Sequence, residues 1–301
     1  MIVSDFIHPE DAETLSELRA IPALPGLIKL VYERGLEDIM WSNNVTSNIR
    51  LSETQMPNVY RLLPPICQRL GIPVPELYMN ISPTPNAWTS GNKRIYIVVT
   101  MGLVRRLSEE ELIAVLAHEC GHILCEHVIY STLAEWVYSI GENLLDGGEI
   151  EKAIGKIINI IGLKNLRQRL YAWERASELS ADRVGCYFTS ALTMAKVLAK
   201  LERIPPIILK DMDYYAWAKQ GADYEKLKYG NTWNQIVRWI ANSDMDHPYG
   251  PVRAYEVFEW EQSRQYNRLS QGSICPKCGA SISSEWKFCK KCGTSLKNQI
   301  I

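Results

Sequence analysis

The spacing of apolar and polar residues changes period several times along the chain, and each change marks an element. Behind Ser108 and Glu109-Glu110-Glu111, the residues Leu112, Val115, Leu116 and Ile123 recur at helical spacing. Ser108 reads as the N-cap of that helix, with Glu111 closing a capping box three residues on. Upstream, 94–99 is rich in β-branched and aromatic residues and predicts the clearest strand in the chain. Residues 72–79 read as a turn entering another strand, and 86–91 as a loop. Between 56 and 70 the period is helical, with Pro64-Pro65 breaking or restarting it. Residues 8–41 alternate helix-like pieces with Pro22 and Pro25, and Leu27, Leu30, Val31 and Leu36 form a core-facing stripe. After His127 comes an amphipathic region to about 172, carrying Glu135, Glu142, Asp146, Lys152 and Lys156. Residues 173–201 are helical in period, 214–241 predict further helices, and 247–253 a turn into a last helix from 254 to about 265. The pattern predicts an α+β, mostly helical domain with a small sheet over 1–262. The polar, apolar-poor stretch 263–273 reads as a linker, and 274–297 as a separate cysteine-rich module.

Composition narrows the class. The 301 residues carry a formal net charge of −1, which gives no reason to expect nucleic acid or an anionic membrane as partner. No apolar run approaches the ~20 residues of a membrane helix; the most apolar stretch, 157–163, lies between Lys156 and Lys164. The first residues lack a basic region followed by an apolar core, so no signal peptide is expected. Of eight cysteines, Cys67, Cys120, Cys125 and Cys186 are scattered in apolar contexts, where a buried free thiol is the default. The other four cluster near the C-terminus. That division fits a reducing compartment, and a soluble cytoplasmic protein is expected.

The chemistry centres on His118-Glu119-Cys120-Gly121-His122. Four residues apart on a helix, His118 and His122 project from one side and can share a zinc ion, with Glu119 beside the metal's water. Cys120 leads away from both histidines and is expected to pack in the core. A catalytic zinc takes a third protein ligand, and the candidates downstream are His127, Glu174, Glu178 and His247. His127 lies five positions after His122, roughly 140° round the same helix, which counts against it. Glu178 and Asp182 are four apart on a second helix. One can bind the metal while the other accepts a hydrogen bond from a ligand histidine.

Asn86-Ala87-Trp88 with Gly91, an extended strand, Thr100-Met101-Gly102-Leu103, Glu111-Leu112, the His118–His122 motif and Arg175-x-x-Glu178-x-x-Ala181-Asp182 occur in order. Together they resemble the M48 family of zinc metallopeptidases over roughly 77–253. The resemblance implies a zincin-like domain with His118, His122 and Glu178 as ligands and Glu119 as general base. It also implies Asp182 as acceptor from a ligand histidine, since the ligand position lies four residues before the aspartate, and not Glu174. His247-Pro248 and Arg253 match a downstream His-Pro…Arg element and are expected as donors to the developing oxyanion. Asn86, Ala87, Trp88 and Gly91 are expected to border the substrate cleft, and 94–99 to be a sheet edge that aligns an extended substrate. Membrane members of the family carry transmembrane helices between the motif and the third ligand. Here that step is amphipathic and broken by charge, resembling a soluble branch. The implied activity is hydrolysis of peptide bonds in proteins or peptides. The competing reading is a non-catalytic zinc-binding adaptor, against which the intact Glu119 argues.

Cys275-Pro276-Lys277-Cys278-Gly279 and Cys289-Lys290-Lys291-Cys292-Gly293 are two C-x-x-C pairs separated by ten residues. Four thiolates at that spacing close a tetrahedral site for a second, structural zinc, with glycine easing each turn. The module resembles a zinc ribbon, folded only with its metal. It is too weakly basic to argue nucleic-acid binding. A protein partner recruited through the ribbon is the expectation, with Trp286 and Phe288 either packing it or facing that partner.

Overall fold

The computed structural model describes residues 2–33, 36–140, 162–226, 249–271, 277–278, 288 and 291–295. Its one sheet among those residues has four strands, β1 (Ile49–Arg50), β2 (Glu76–Asn80), β3 (Ala87–Ser90) and β4 (Tyr96–Thr100), in the order β1-β2-β4-β3. β2 and β4 are parallel, with Leu77 opposite Ile97 and Met79 opposite Val99; β3 runs antiparallel to β4, Trp88 opposite Val98. Every residue of β4 is buried, as its unbroken Tyr-Ile-Val-Val run requires. Ile97 and Val99 face the main core, while Tyr96 and Val98 pack with Tyr78 on the other side. The predicted strand is therefore real but internal. Expected as a sheet edge, it lies between β2 and β3; the edge strand beside it is β3, formed by residues that read as a loop.

The motif helix Glu109–Leu124 follows the short helix Met101–Arg106, and its capping box is present: Ser108 Oγ accepts from Glu111 N, and Ser108 N donates to Glu111 Oε2 at 2.7 Å. Against it lies the long helix Leu163–Phe188. Two glycines permit the close crossing. A Cβ on Gly121 would stand 3.0 Å from Ala181 Cα, and one on Gly185 would stand 2.9 Å from Ala114 O. The approach brings Glu178 over the motif histidines. The helical run predicted over 173–201 breaks at Thr189 and restarts at Ala191–Leu201, where Ser190 Oγ accepts from Thr193 N. Pro64 and Pro65 fall in the first turn of Leu63–Leu70, after a separate short helix Pro57–Tyr60.

A second core gathers Leu15 and Leu18 of the N-terminal helix Pro9–Arg19, Leu27 of helix Leu24–Glu33, Leu133 of helix Val128–Ile140, and Leu170 and Trp173 of the long helix. The side chains of Leu30, Val31 and Leu36, and residues 141–161 and 227–248, lie outside the described residues. The last large helix, Gly250–Glu261, begins four residues earlier than predicted, with Pro251 in its first turn. The segment expected as a linker is helical over Arg264–Gln271. Its few apolar side chains suffice to dock it: Tyr266 meets Trp260 edge-on at 5.1 Å, and Gln265 donates to Ser4 O and Asp5 O.

Among the described residues no single helix is long and apolar enough to cross a membrane. The pair Glu109–Leu124 and Val128–Ala134 passes on combined length and composition but is bent by 94°. In the cysteine-rich module, Cys278 and Cys292 are half-buried, and Phe288 is exposed and pairs with Ser295. Cys275, Cys289 and Trp286 lie outside the described residues.

Candidate metal centre

One turn apart, His118 and His122 bring their Nε2 atoms to 3.2 Å. Glu178 reaches over from the long helix, Oε2 3.5 Å from His118 Nε2 and Oε1 3.4 Å from His122 Nε2. A tetrahedral zinc with bonds of ~2.0–2.1 Å holds its ligand atoms about 3.4 Å apart, so the three side chains already stand at the edges such an ion requires. Among the described residues this is the one group of histidine, cysteine and carboxylate side chains so arranged. Of the other candidates, Glu174 lines the neighbouring cleft without joining the group, and His247 lies outside the described residues.

Each histidine is held from behind at Nδ1. Behind His118 stands Asp182, fully buried, with Oδ1 at 2.9 Å. Arg253 grips that carboxylate with Nε at 2.7 Å and Nη2 at 2.6 Å, and gives Nη1 to Glu178 Oε2 at 2.8 Å. Burial pushes the Asp182 carboxyl up, but the Arg253 charge and hydrogen bonds and the His118 contact outweigh it and leave it below the usual range. An ionised acceptor assigns the Nδ1 proton to His118 and leaves its Nε2 lone pair for a metal. Arg253, expected as a donor to an oxyanion, is turned instead onto two carboxylates, because two buried anions demand its charge where it stands.

Behind His122 stands His127, the residue the helix-angle argument set aside. The roughly 140° separation holds only along a continuing helix, whereas the motif helix ends at Leu124 and Glu126 takes φ +60°. The left-handed turn swings the chain back, so His127 N donates to His122 O and the two Nδ1 atoms sit 3.1 Å apart. His127 is fully buried, its ring edge-on to Trp173, and its Nε2 lies 2.9 Å from Asp11 Oδ2. Burial above all pushes the His127 imidazole below its ordinary pKa. The Asp11 carboxyl is raised by burial but lowered more by its His127 and Ser180 hydrogen bonds, and ends below the usual range. Ser180 Oγ donates to the same Asp11 oxygen at 2.5 Å. Nothing local marked Asp11; an acidic residue in a first helical turn reads as a partner of the helix dipole.

Glu119 is buried beside the two histidines and Glu178, and Thr89 Oγ1 of β3 donates to its Oε2 at 2.6 Å. Sequence reasoning missed Thr89 because β3 read as a loop. Asn86, Ala87 and Trp88 border a cleft of about 670 Å³ with Glu119, His118, His122 and Glu178, and Val115, Met194 and Leu198 form its apolar wall. Gly91 does not line it. Its φ of +110° and its closeness to Arg94 O make it a turn residue between β3 and β4. Cys120 points into the core as expected, Sγ 3.8 Å from that of Cys67.

The family model described as peptidase family M48 matches residues 53–261, and a zinc-ribbon domain model matches 274–296. The chain is 32% identical to the plastoglobule-localized metallopeptidase 48, chloroplastic, of Arabidopsis thaliana over 269 residues, covering 88% of this chain and 74% of that protein. It is 31% identical to a protease HtpX homolog of Methanocaldococcus jannaschii over 172 residues, covering 51% of this chain and 60% of that one. Among solved structures, S. mikatae Ste24p aligns with 82% of this chain and 64% of that chain, at 15% identity and a TM-score of 0.41, a likeness too slight to argue from.

Proposed function

The chain belongs to peptidase family M48, and from that premise we propose that it is a zinc-dependent endopeptidase hydrolysing peptide bonds in proteins or peptides. The observation that carries the reading is the spacing of His118 Nε2, His122 Nε2 and the Glu178 carboxylate at the edges of a tetrahedron, with Glu119 beside them. These three side chains would hold the ion. Zinc bound there supplies Lewis acidity, which brings the pKa of a water towards ~7 and polarises a carbonyl.

The remaining work falls to the chain. Glu119 takes a proton from the attacking water and returns it to the leaving amine. Thr89, donating to Oε2, fixes the carboxylate and leaves Oε1 as the basic oxygen. The outer edge of β3 pairs with an extended substrate beside Ala87 and Trp88, and the wall of Val115, Met194 and Leu198 receives an apolar side chain. Arg253 holds the Asp182 and Glu178 carboxylates in place. Cys275, Cys278, Cys289 and Cys292 hold a structural zinc, and the ribbon they form offers a surface to a protein partner.

Cleavage of an unfolded protein by zinc-loaded wild type beside Glu119→Gln tests the assignment. The variant keeps every ligand and is expected to lose about 10²–10⁴-fold in kcat, the usual worth of a positioned base. Equal cleavage by both proteins removes Glu119 from the mechanism. No cleavage by either favours the adaptor reading.

A further inference from the structure

We propose that Asp11, acting through His127, is a positioning residue for His122: the N-terminal helix supplies part of the metal centre. The inference rests on the reading of His118, His122 and Glu178 as a metal site.

To offer its Nε2 lone pair to a metal, His122 must carry its proton on Nδ1 and place it on an acceptor. The atom there is His127 Nδ1, at 3.1 Å. An imidazole nitrogen accepts only if the ring's single proton sits on the other nitrogen. His127 alone has no reason to choose that tautomer; with the proton on Nδ1, two N–H groups would face each other and drive the rings apart. Asp11 makes the choice. Its Oδ2, 2.9 Å from His127 Nε2, is a carboxylate oxygen that can only accept, so the His127 proton goes to Nε2 and its Nδ1 is left to accept.

The carboxylate is itself fixed. Ser180 Oγ donates to Asp11 Oδ2, and the same hydroxyl accepts from His8 N at 2.8 Å. Arg183 Nη1 donates to Ile7 O at 2.9 Å, and Phe6 is buried against Tyr187 and Trp260. Ser180 and Arg183 stand on the helix that carries Glu178. The segment leading into the N-terminal helix is therefore fastened to the element that supplies the third ligand. Asp11 and His127 are both fully buried. Burying a carboxylate is costly unless it is fully engaged, yet Asp11 Oδ1 takes no hydrogen bond among the described residues. An asparagine or a serine would fill the site at less expense if packing were its only purpose. Orientation of an imidazole in its metal-binding tautomer explains the charge. Asp11 lies well before the family-matched region 53–261, so this support reaches the site from outside the segment that the family model matches.

The test is metal affinity in the full-length protein, with Co(II) as the spectroscopic probe. Cobalt on two imidazoles and a carboxylate is told from cobalt on four thiolates by the strong thiolate-to-metal charge-transfer absorption of the latter, so the ribbon serves as an internal reference. Asp11→Ala is expected to weaken the histidine site about 10–100-fold, the usual effect of losing a partner behind a ligand, with the thiolate site unchanged. Should Asp11→Ala fail to fold, the pair His127→Gln and His127→Leu decides: the glutamine oxygen can accept from His122 Nδ1 and the leucine cannot. Cobalt bound at least about tenfold tighter by the Gln variant than by the Leu variant supports the proposal. Folded Asp11→Ala with wild-type affinity, or equal affinities for the Gln and Leu variants, overturns it. Wild type with cobalt only on the thiolates overturns the metal-site reading itself, which separates that failure from this one.

Discussion

His118 and His122 make the same demand of the protein, an acceptor for an Nδ1 proton, and the two sides meet it by different physics. His118 leans on Asp182, whose charge is balanced by Arg253, which also holds Glu178. That support is ionic and compact, and is built from residues of the family-matched region. His122 leans on a neutral imidazole, and the charge stands one ring further back on Asp11. Here the acceptor is made indirectly, by fixing a tautomer, and it draws on the N-terminal helix. The first arrangement couples a ligand to the electrostatics of the core. The second couples a ligand to whether a distant segment is docked.

The comparison can be broken by substitution, beginning on the ionic side. Asp182→Ala takes from the buried Arg253 one of the two carboxylates it is bonded to and is expected to cost about 3–5 kcal/mol in urea unfolding. A loss under ~1 kcal/mol would show that the Asp182–Arg253 pair does not hold the fold by charge. Asp11→Ala leaves two neutral donors, His127 Nε2 and Ser180 Oγ, without their acceptor, and should cost about 1–3 kcal/mol. If it proves the more damaging change, the ordering of the two sides is reversed. The same variant carries a signature in pH. Because the Asp11 carboxyl is depressed in the fold, its contribution is complete above about pH 4, the unfolded value, and is lost as pH falls through the folded one. Unfolding free energies followed into acid should therefore fall less steeply for Asp11→Ala than for wild type. Ser180→Ala removes one donor from Asp11 and spares the His127 bond. About 1 kcal/mol is expected, with a smaller drop in cobalt affinity at the histidine site than Asp11→Ala gives. An equal drop would assign the positioning to the hydroxyl.

What the chain's pattern disclosed was local or periodic. The capping box at Ser108, the shared face of His118 and His122, and the i, i+4 relation of Glu178 to Asp182 are statements about one helix at a time, and each stands in the structure. What escaped it was pairing over distance. β3 read as a loop because Ala87-Trp88-Thr89-Ser90 has too little alternation to declare itself; only the hydrogen bonds of β4 make it a strand, and with it Thr89 reaches Glu119. His127 was set aside because a helical angle was carried past the residue at which the helix stops, and a single positive φ at Glu126 undid the extrapolation. The stretch 263–273 reads as a linker from its polarity, yet Tyr266 alone supplies a ring to seat it.

Asp11 and Ser180 are separated by 169 residues and Asp11 and His127 by 116, and this gives the centre an order of assembly. The helix Pro9–Arg19 is synthesised before the long helix and must wait, its carboxylate still in water, until Leu163–Phe188 exists to receive it. Closing so long a loop is slow compared with forming the helices themselves. A growing chain that has already exposed its complete His118–His122 motif therefore has His118 and His122 without Glu178, and His122 without a settled partner behind it. Completion of the site comes when Pro9–Arg19 finds its place on the later helix Leu163–Phe188, so a contact across 169 residues is also its clock.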